Sequence, residues 1–255
     1  MRILNKKKFN KKLSFSIITP ILNDKRIVKN INSLKKQNYK NFEHIIIDGG
    51  SENKIIKILE NKRTKFHTII SEKDHGIYDA INKGIKLSKG DIIGILNADD
   101  FYYKKSLSIV KKYFDTHSID FFFGSVMKDR LHHNYYPDKI WWKFNVFPSH
   151  SCGFFIKKKI HNRLGLYNTI FKYSSDRDFI FKLIRKGFKG MSGKKYEILG
   201  KFNPAGISSK LSYFETVKEE FFIRLNNKQS IFYILPLFII TIIYKFLYSI
   251  IKLNK

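Results

Sequence analysis

The amino-acid sequence predicts an α/β fold in which helices cover both faces of a mainly parallel sheet. Short runs rich in Ile and Phe alternate with segments whose apolar residues recur at helical spacing, in the order β-α-β-α-β-α-β. Parallel strands need a crossover, usually a helix, so this alternation is typical of such a sheet. The predicted strands are Phe15–Thr19, Asn41–Asp48, Phe66–Ser71 and Asp91–Leu96.

Each element has a local signal in the sequence. Pro20 is expected to end the first strand, because proline cannot donate to a strand ladder. Ser51 follows Gly49-Gly50 and is expected to cap the helix formed by ENKIIKILE. Two further helices are indicated by apolar spacing, at Ile27, Val28, Ile31 and Leu34 and at Ile77, Ile81, Gly84 and Ile85.

The composition indicates a folded chain in a reducing compartment. Its 255 residues are enough for one large domain, or for a domain with an appendage, and 43% hydrophobic content excludes a disordered chain. Cys152 is the single cysteine, so no internal disulfide can form.

The chain is strongly basic, with 49 Lys and Arg against 21 Asp and Glu and a net charge of +28. Such a charge favours a polyanionic neighbour: nucleic acid, an anionic membrane or a phosphorylated substrate. A genome whose codon usage favours Lys and Asn would give the same excess of positive charge without any such partner. A basic nucleic-acid-binding module is one alternative, but no KH loop or RNP sequence is present. We therefore expect no nucleic-acid partner.

The two ends of the chain carry different signals. The N-terminal basic cluster precedes an apolar stretch broken by Ser14, Ser16, Thr19 and Pro20, so we expect no export. Residues 231–244 are apolar except for one Thr, but Lys245 interrupts the run before the 20 or so residues that a span needs. A helix in the membrane interface fits better, and a helix packed on the core is the alternative.

Polar residues follow each of the four predicted strands. Because the carboxyl ends of parallel strands share one edge of a sheet, we expect these residues to converge there. No G-x-G-x-x-G or Walker motif is present to hold phosphates. A divalent cation bound by the adjacent carboxylates of Asp99 and Asp100 is another way to hold a diphosphate. The residues concerned are Thr19, Pro20, Asn23, Asp48, Glu72, Asp74, Asn97, Asp99 and Asp100.

The second half of the chain has two features that permit more than one interpretation. Residues 132–149 are rich in aromatic side chains, including Trp141 and Trp142, which suit a sugar face, a lipid boundary or a core. Asp176 opens an apolar helix, where a carboxylate is either an N-terminal cap or a general base.

Five segments in order, FSIITPILN, IIIDGGSENK, ISEKDHGIYDAINKGIKLSKGDIIGILNADD, SSDRDFIFKLIRKG and AGIS, closely resemble the inverting nucleotide-sugar glycosyltransferases of family two. The likeness is greatest to the bacterial branch that makes surface polysaccharides. It implies a GT-A domain over residues 13–210. The apolar and basic composition that follows predicts a helical, membrane-associating segment over 211–255. A non-catalytic membrane scaffold that keeps this fold is the remaining alternative.

The resemblance implies a role for each matching residue. Asp176 corresponds to the catalytic base. Asp99 corresponds to the main ligand of an Mn²⁺ or Mg²⁺ ion, with Asp100 beside it. Asp48 corresponds to the residue that recognises the nucleobase of the donor. His150, with Trp141 and Trp142, falls on the acceptor side, although His150 is equally compatible with a structural role. The donor-binding positions are Thr19, Pro20, Asn23, Asp48, Asp74, Asp79, Asn82, Lys83, Asn97 and Asp99.

Several positions depart from the family pattern. Asn97 replaces the first acid of the metal motif, Ser175 replaces the Glu before the base, and Ser151 replaces a Gln. Ile81 stands where many relatives carry an Arg. The Gln-x-x-Arg-Trp motif of processive synthases is absent, which implies addition of one sugar.

The expected partners follow from the resemblance and from the charge. They are a nucleoside-diphosphate sugar, with UDP-sugars favoured, a lipid-linked saccharide acceptor and an anionic membrane surface. The expected location is the inner face of a bacterial cytoplasmic membrane, as a peripheral or monotopic protein.

Overall fold

The computed structural model describes residues 12–143, 146–203 and 212–253. Within these ranges the chain forms two sheets and eight α-helices. The strands are β1 (Phe15–Ile21), β2 (Phe42–Asp48), β3 (His67–Ser71), β4 (Ile92–Ile95), β5 (Phe101–Tyr102), β6 (Phe121–Phe123), β7 (Ser125–Met127), β8 (Leu131–His132), β9 (Phe154–Lys157), β10 (Gly190–Ser192) and β11 (Ile198–Lys201). The helices are α1 (Ile27–Lys35), α2 (Asn53–Lys62), α3 (Ile77–Leu87), α4 (Ser106–Thr116), α5 (Lys158–Leu164), α6 (Ser175–Arg185), α7 (Tyr213–Asn226) and α8 (Ile231–Leu253).

The larger sheet confirms the predicted fold class. Its strand order is β10-β6-β9-β4-β1-β2-β3, and β1 pairs in parallel with both β2 and β4. Strand β9 is antiparallel to its neighbours β4 and β6, so the sheet is mainly rather than wholly parallel. The smaller sheet has the order β5-β11-β7-β8.

Helices lie against both faces of the larger sheet, as predicted. Successive residues of β1 separate the two faces, because side chains alternate along a strand. Ile17 packs in one cluster with Leu34 of α1 and Leu107 of α4, whereas Ile18 packs in another cluster with Ile81 of α3. All of these side chains are buried.

Two local predictions are wrong: that Pro20 ends β1 and that Ser51 caps α2. Strand β1 continues through Pro20, which pairs with Ile47 of β2, to Ile21. The proline is tolerated because β4 pairs with β1 only as far as Ile18, so Pro20 has a strand on one side only. Ser51 does not cap α2, because its hydroxyl instead accepts a hydrogen bond from the Asn23 backbone N–H at 2.7 Å.

The C-terminal segment is helical, as predicted. Helix α7 begins with a capping box between Ser212 and Glu215, and α8 follows after a short turn. In the part of the chain that the structure describes, we find no helix long and apolar enough to cross a membrane. The AGIS segment and the predicted domain boundary at 210/211 lie outside the described residues.

Candidate active site

A cavity of about 940 Å³ lies at the carboxyl edge of the larger sheet. It is bounded by the loops after β1 and β4, by the start of α3 and α6, and by the β7–β8 hairpin of the smaller sheet. Residues far apart in the chain therefore share one space. Six predicted site residues line it: Pro20, Asn23, Asn97, Asp99, His150 and Asp176.

The loops after β1 and β4 place two acids around one arginine. Nη2 of Arg26 lies 2.6 Å from Oδ2 of Asp24 and 3.5 Å from Oδ2 of Asp99. Burial raises the pKa of Asp99, and the nearby Arg26 partly opposes this shift. Asp99 therefore presents a partly desolvated carboxylate to the cavity. A cation that binds beside this carboxylate would stabilise its charge.

Asp176 lies in the first turn of α6 and borders the same cavity. The hydroxyl of Tyr78, at the start of α3, donates a hydrogen bond of 2.9 Å to Oδ1 of Asp176. Burial raises the pKa of Tyr78 well above its ordinary value, so this phenol keeps its proton. The carboxylate that corresponds to the family's base is thus held by a fixed donor.

His150 lies in the cavity wall against aromatic side chains. Its Nε2 is 2.7 Å from the hydroxyl of Tyr167, and its ring stacks on Phe154. Burial lowers the pKa of His150, and the charge of Asp176 partly opposes this shift. The ring is therefore held in place, with access to the cavity.

Asp100 does not belong to the cavity lining. Its two carboxylate oxygens accept hydrogen bonds from the Ser151 hydroxyl at 2.5 Å and the Asn203 backbone N–H at 2.8 Å. Burial raises its pKa to about 7. This geometry gives Asp100 a structural role that ties the loop after β4 to Ser151, and it lends no support to Asp100 as a metal ligand.

Asp48, the last residue of β2, and Thr19, inside β1, are fully buried and lie outside the cavity lining. Oδ2 of Asp48 accepts hydrogen bonds from the Ser51 backbone and the Ser71 hydroxyl, while its Oδ1 is buried with no protein partner. The Thr19 hydroxyl contacts His44 Nε2 at 2.9 Å and donates to the Leu96 carbonyl at 2.8 Å. Thr19 therefore joins neighbouring strands, and its predicted donor contact stays a prediction.

The remaining predicted donor residues lie on or before α3, also outside the cavity lining. Asn82 makes two hydrogen bonds to the backbone of Tyr167, and Lys83 is ion-paired with Glu72 at 3.0 Å and Asp79 at 3.4 Å. Oδ1 of Asp74 accepts a hydrogen bond from the Gly76 backbone. These contacts organise the segment that carries Tyr78, and direct donor contacts by these residues stay predictions.

Trp141 and Trp142 are exposed and lie outside the cavity lining. The ring of Trp141 packs edge-on against the buried Phe181 of α6. The structure therefore does not bring them to the site where an acceptor would meet Asp176.

Sequence reasoning missed Arg26 and Tyr78 as cavity residues. Tyr78 lies inside one of the segments that resemble the family. Its contact with Asp176, 98 positions later in the chain, had no signal in the sequence. The sequence also did not indicate that Lys128 and Arg130 of the β7–β8 hairpin would border the cavity.

Comparison with known proteins agrees with this architecture. A family model described as Glycosyl transferase family 2 matches residues 16–188. The chain belongs to glycosyl transferase family 2. The resemblance found from the sequence motifs is thereby confirmed.

Two curated relatives of this family-2 chain are glycosyltransferases of bacteria. An uncharacterized glycosyltransferase of Rickettsia typhi is 30% identical over 187 residues, which cover 67% of this chain and 58% of that protein. The PGL/p-HBAD biosynthesis glycosyltransferase of Mycobacterium tuberculosis is 28% identical over 178 residues, covering 65% and 67% of the two chains. The match thus spans less than two thirds of the Rickettsia protein.

Solved structures share the fold of this family-2 chain at low sequence identity. Staphylococcus aureus TarS 1-349 in complex with UDP-GlcNAc has a TM-score of 0.67 and 16% identity, covering 84% of this chain and 66% of that one. A mannosyltransferase from Pyrobaculum calidifontis in complex with GDP-Man and Mn²⁺ has a TM-score of 0.65 and 14% identity, with coverages of 88% and 68%. These similarities concern the fold alone.

Proposed function

We propose that this chain transfers one sugar from a nucleoside-diphosphate sugar to a saccharide acceptor, with inversion at the anomeric carbon. One observation carries the proposal: Asp99 and Asp176, which correspond to the family's metal ligand and base, line the same cavity. A diphosphate held near the first carboxylate and an acceptor hydroxyl near the second would then be within one space.

The cavity residues fit a divalent cation shared with the donor. No group of three or more His, Cys, Asp or Glu side chains forms a metal cluster among the described residues. The protein would instead supply Asp99, with the side chain of Asn97 nearby, and the diphosphate would supply further oxygens. A bound Mn²⁺ or Mg²⁺ would stabilise negative charge on the leaving diphosphate.

Asp176 would accept the proton of the acceptor hydroxyl as it attacks. The bond between the anomeric carbon and the diphosphate oxygen breaks while the bond to the acceptor oxygen forms. A single displacement of this kind puts the acceptor on the face opposite the leaving group, which inverts the configuration. Tyr78 holds one oxygen of Asp176 at 2.9 Å and leaves the other as the candidate proton acceptor.

The donor base would be read at the end of β2. Oδ1 of Asp48 is buried without a protein partner, so an N–H of the base would relieve an unsatisfied acceptor. The imide N–H of uracil fits this acceptor, as does the ring N–H of guanine, and we propose a UDP-sugar as the first donor to test. TarS with UDP-GlcNAc and the mannosyltransferase with GDP-Man agree with a nucleotide-sugar donor in this fold.

The acceptor is proposed to be a lipid-linked saccharide in bacterial surface-polysaccharide synthesis. AmsB of Erwinia amylovora, an amylovoran biosynthesis glycosyltransferase, is 34% identical over 103 residues, which cover 38% of this chain and 34% of AmsB. The apolar α8 and the net charge of +28 favour attachment to an anionic membrane surface. We place the enzyme on the inner face of the cytoplasmic membrane.

The decisive experiment combines donor identification with a base variant. Donors are screened by thermal shift with Mn²⁺, and the stabilising donor is assayed against lipid-linked acceptors. Asp176→Asn is expected to lower kcat by about 10²- to 10⁴-fold while leaving the donor Kd unchanged.

The matched control for this experiment is Asp115→Asn, which removes an exposed carboxylate that pairs with Lys111 on α4. It is expected to keep wild-type turnover. Comparable turnover by Asp176→Asn would exclude Asp176 as the base, and the absence of any donor-dependent stabilisation would count against the proposed activity as a whole.

A further inference from the structure

The two tryptophans lie in a loop that begins beside the cavity, and we call their end of this loop its tip. The Tyr136 backbone N–H donates a hydrogen bond of 2.7 Å to the Val146 carbonyl and closes the loop. Tyr136 and Phe147, on either side of this closure, both line the cavity. At the tip, Trp141 is 41% exposed and Trp142 is 53% exposed. We call the described residues 137–143 the tryptophan loop.

The tryptophan loop is fastened to the start of α8. The Trp141 carbonyl accepts hydrogen bonds from Arg224 Nη1 at 2.6 Å and from Gln229 Nε2 at 3.1 Å. The Arg224 side chain is buried, and Gln229 precedes α8 by two residues. These hydrogen bonds therefore hold the tip of the loop beside the N-terminal end of α8.

Helix α8 presents an apolar surface beside this loop. Ile234 is the single buried residue among the α8 side chains that the structure describes, and Phe238 packs against Phe221 of α7. Phe232 is 89% exposed and Ile240 is 62% exposed. A contiguous apolar surface of this kind marks an interaction site.

We propose that the tryptophan loop and α8 together dock into the interface of an anionic lipid bilayer. Tryptophan is enriched at the membrane–water boundary, where its ring lies among the headgroups. Lys139, Lys143 and Lys228 are exposed in the loop and just before α8, with Asp138 as the one acid of the described loop residues. This charge, on a chain of net charge +28, is complementary to anionic lipids rather than to a second basic copy of the chain.

Docking through the loop tip would place the base of the loop, and with it the cavity, at the lipid surface. This consequence rests on the proposed function, because it explains how a lipid-linked saccharide would reach Asp176. It also assigns Trp141 and Trp142 to the bilayer instead of the saccharide.

The sequence provides its own reporter, because Trp141 and Trp142 are the only tryptophans in the chain. Tryptophan emission is recorded for the full chain with vesicles of phosphatidylcholine, with and without phosphatidylglycerol, and binding is measured by sedimentation. With the anionic vesicles we expect tight binding, a blue shift of the emission and quenching by brominated acyl chains.

A substitution at the tip tests the contribution of the tryptophan loop. Trp142→Ala is expected to weaken the vesicle partition by about tenfold, because one aromatic side chain is no longer buried in lipid. The matched control is Tyr196→Ala, which removes a 73% exposed aromatic residue between β10 and β11 and is expected to change nothing. Unchanged thermal unfolding of both variants shows that the fold is intact.

Three outcomes would overturn the proposal: no binding to anionic vesicles, binding without any change in emission, or an emission change that follows protein self-association or soluble saccharide instead of lipid. Donor binding is measured separately, by calorimetry without vesicles. A failure of membrane docking is therefore distinguishable from a failure of the proposed transfer activity.

Discussion

Tyr78 is the residue whose position most directly affects the candidate base. Its hydroxyl lies 2.9 Å from Asp176 Oδ1 and 3.1 Å from the Tyr173 carbonyl, inside a buried environment. A donor in this position stabilises the ionised carboxylate and restricts its orientation. Tyr78 is thus a positioning residue in the proposed mechanism.

Removal of this donor by Tyr78→Phe is expected to lower kcat by about 10- to 100-fold, since a hydrogen bond to a charged group contributes about 1.5–3 kcal/mol. The donor KM should stay near the wild-type value, because Tyr78 acts on the carboxylate that meets the acceptor. Tyr113→Phe is the matched control, because it removes a similar tyrosine–carboxylate bond, to Glu197, far from the cavity. A wild-type kcat in Tyr78→Phe, or an equal loss in Tyr113→Phe, would contradict the positioning role.

Asp99 is the other residue on which the mechanism depends. Asp99→Ala is expected to weaken donor binding in Mn²⁺ by at least about tenfold, because loss of outer-shell partners alone typically costs 10- to 100-fold. Titration calorimetry with and without Mn²⁺ measures the effect. Equal donor affinity in the wild type and Asp99→Ala, under both conditions, would reject the metal assignment.

At the scale of elements, the close contact between α3 and β1 positions the residues around the cavity. Gly84 lies on the inner face of α3, and a Cβ at this position would come within 2.4 Å of Ile18 Cγ2. Ile18 is fully buried and cannot move aside. The helix that carries Tyr78 is therefore held against the sheet by a residue without a side chain.

Gly84→Ala tests this packing. The substitution gains about 1 kcal/mol of helix propensity, but overpacking costs about 1–3 kcal/mol, so we expect a net loss of stability. Chemical denaturation measures the free energy of unfolding. A double-mutant cycle with Ile18→Ala should recover part of the loss, and additive effects would show that the two positions do not interact.

At the scale of the whole molecule, buried histidines make stability depend on pH. Burial lowers the pKa of His67 and of His161 to about 4, and lowers that of His44 well below its ordinary value. In the unfolded chain these rings bind protons at about pH 6.5. As the pH falls from 6.5 towards 4, the unfolded state takes up protons that the folded state does not, so stability is lost.

The contribution of His161 can be isolated. Between pH 7.5 and pH 5 it should account for a loss of about 2 kcal/mol in the free energy of unfolding. His161→Phe keeps an aromatic ring against Phe179 and removes the titrating group, together with an Nε2 atom that has no partner. Its stability should fall less steeply with pH, and a slope equal to that of the wild type would contradict the assignment.

The sequence by itself determined the alternation of strands and helices, the two faces of the sheet and the family. These properties depend on periodicity and on short motifs, which are local. Local signals were insufficient at Pro20 and Ser51. Pairing with β2 keeps Pro20 inside β1, and the loop after β1 takes the Ser51 hydroxyl as a hydrogen-bond acceptor.

The tertiary structure alone decided which residues share the cavity. Asp176 meets Tyr78 across 98 positions, and Trp141 joins Arg224 across 83, so no local pattern could indicate either contact. Tertiary packing also gives Asp99 and Asp100 different surroundings. The two acids are adjacent in sequence, but packing directs one carboxylate into the cavity and encloses the other between Ser151 and the Asn203 backbone.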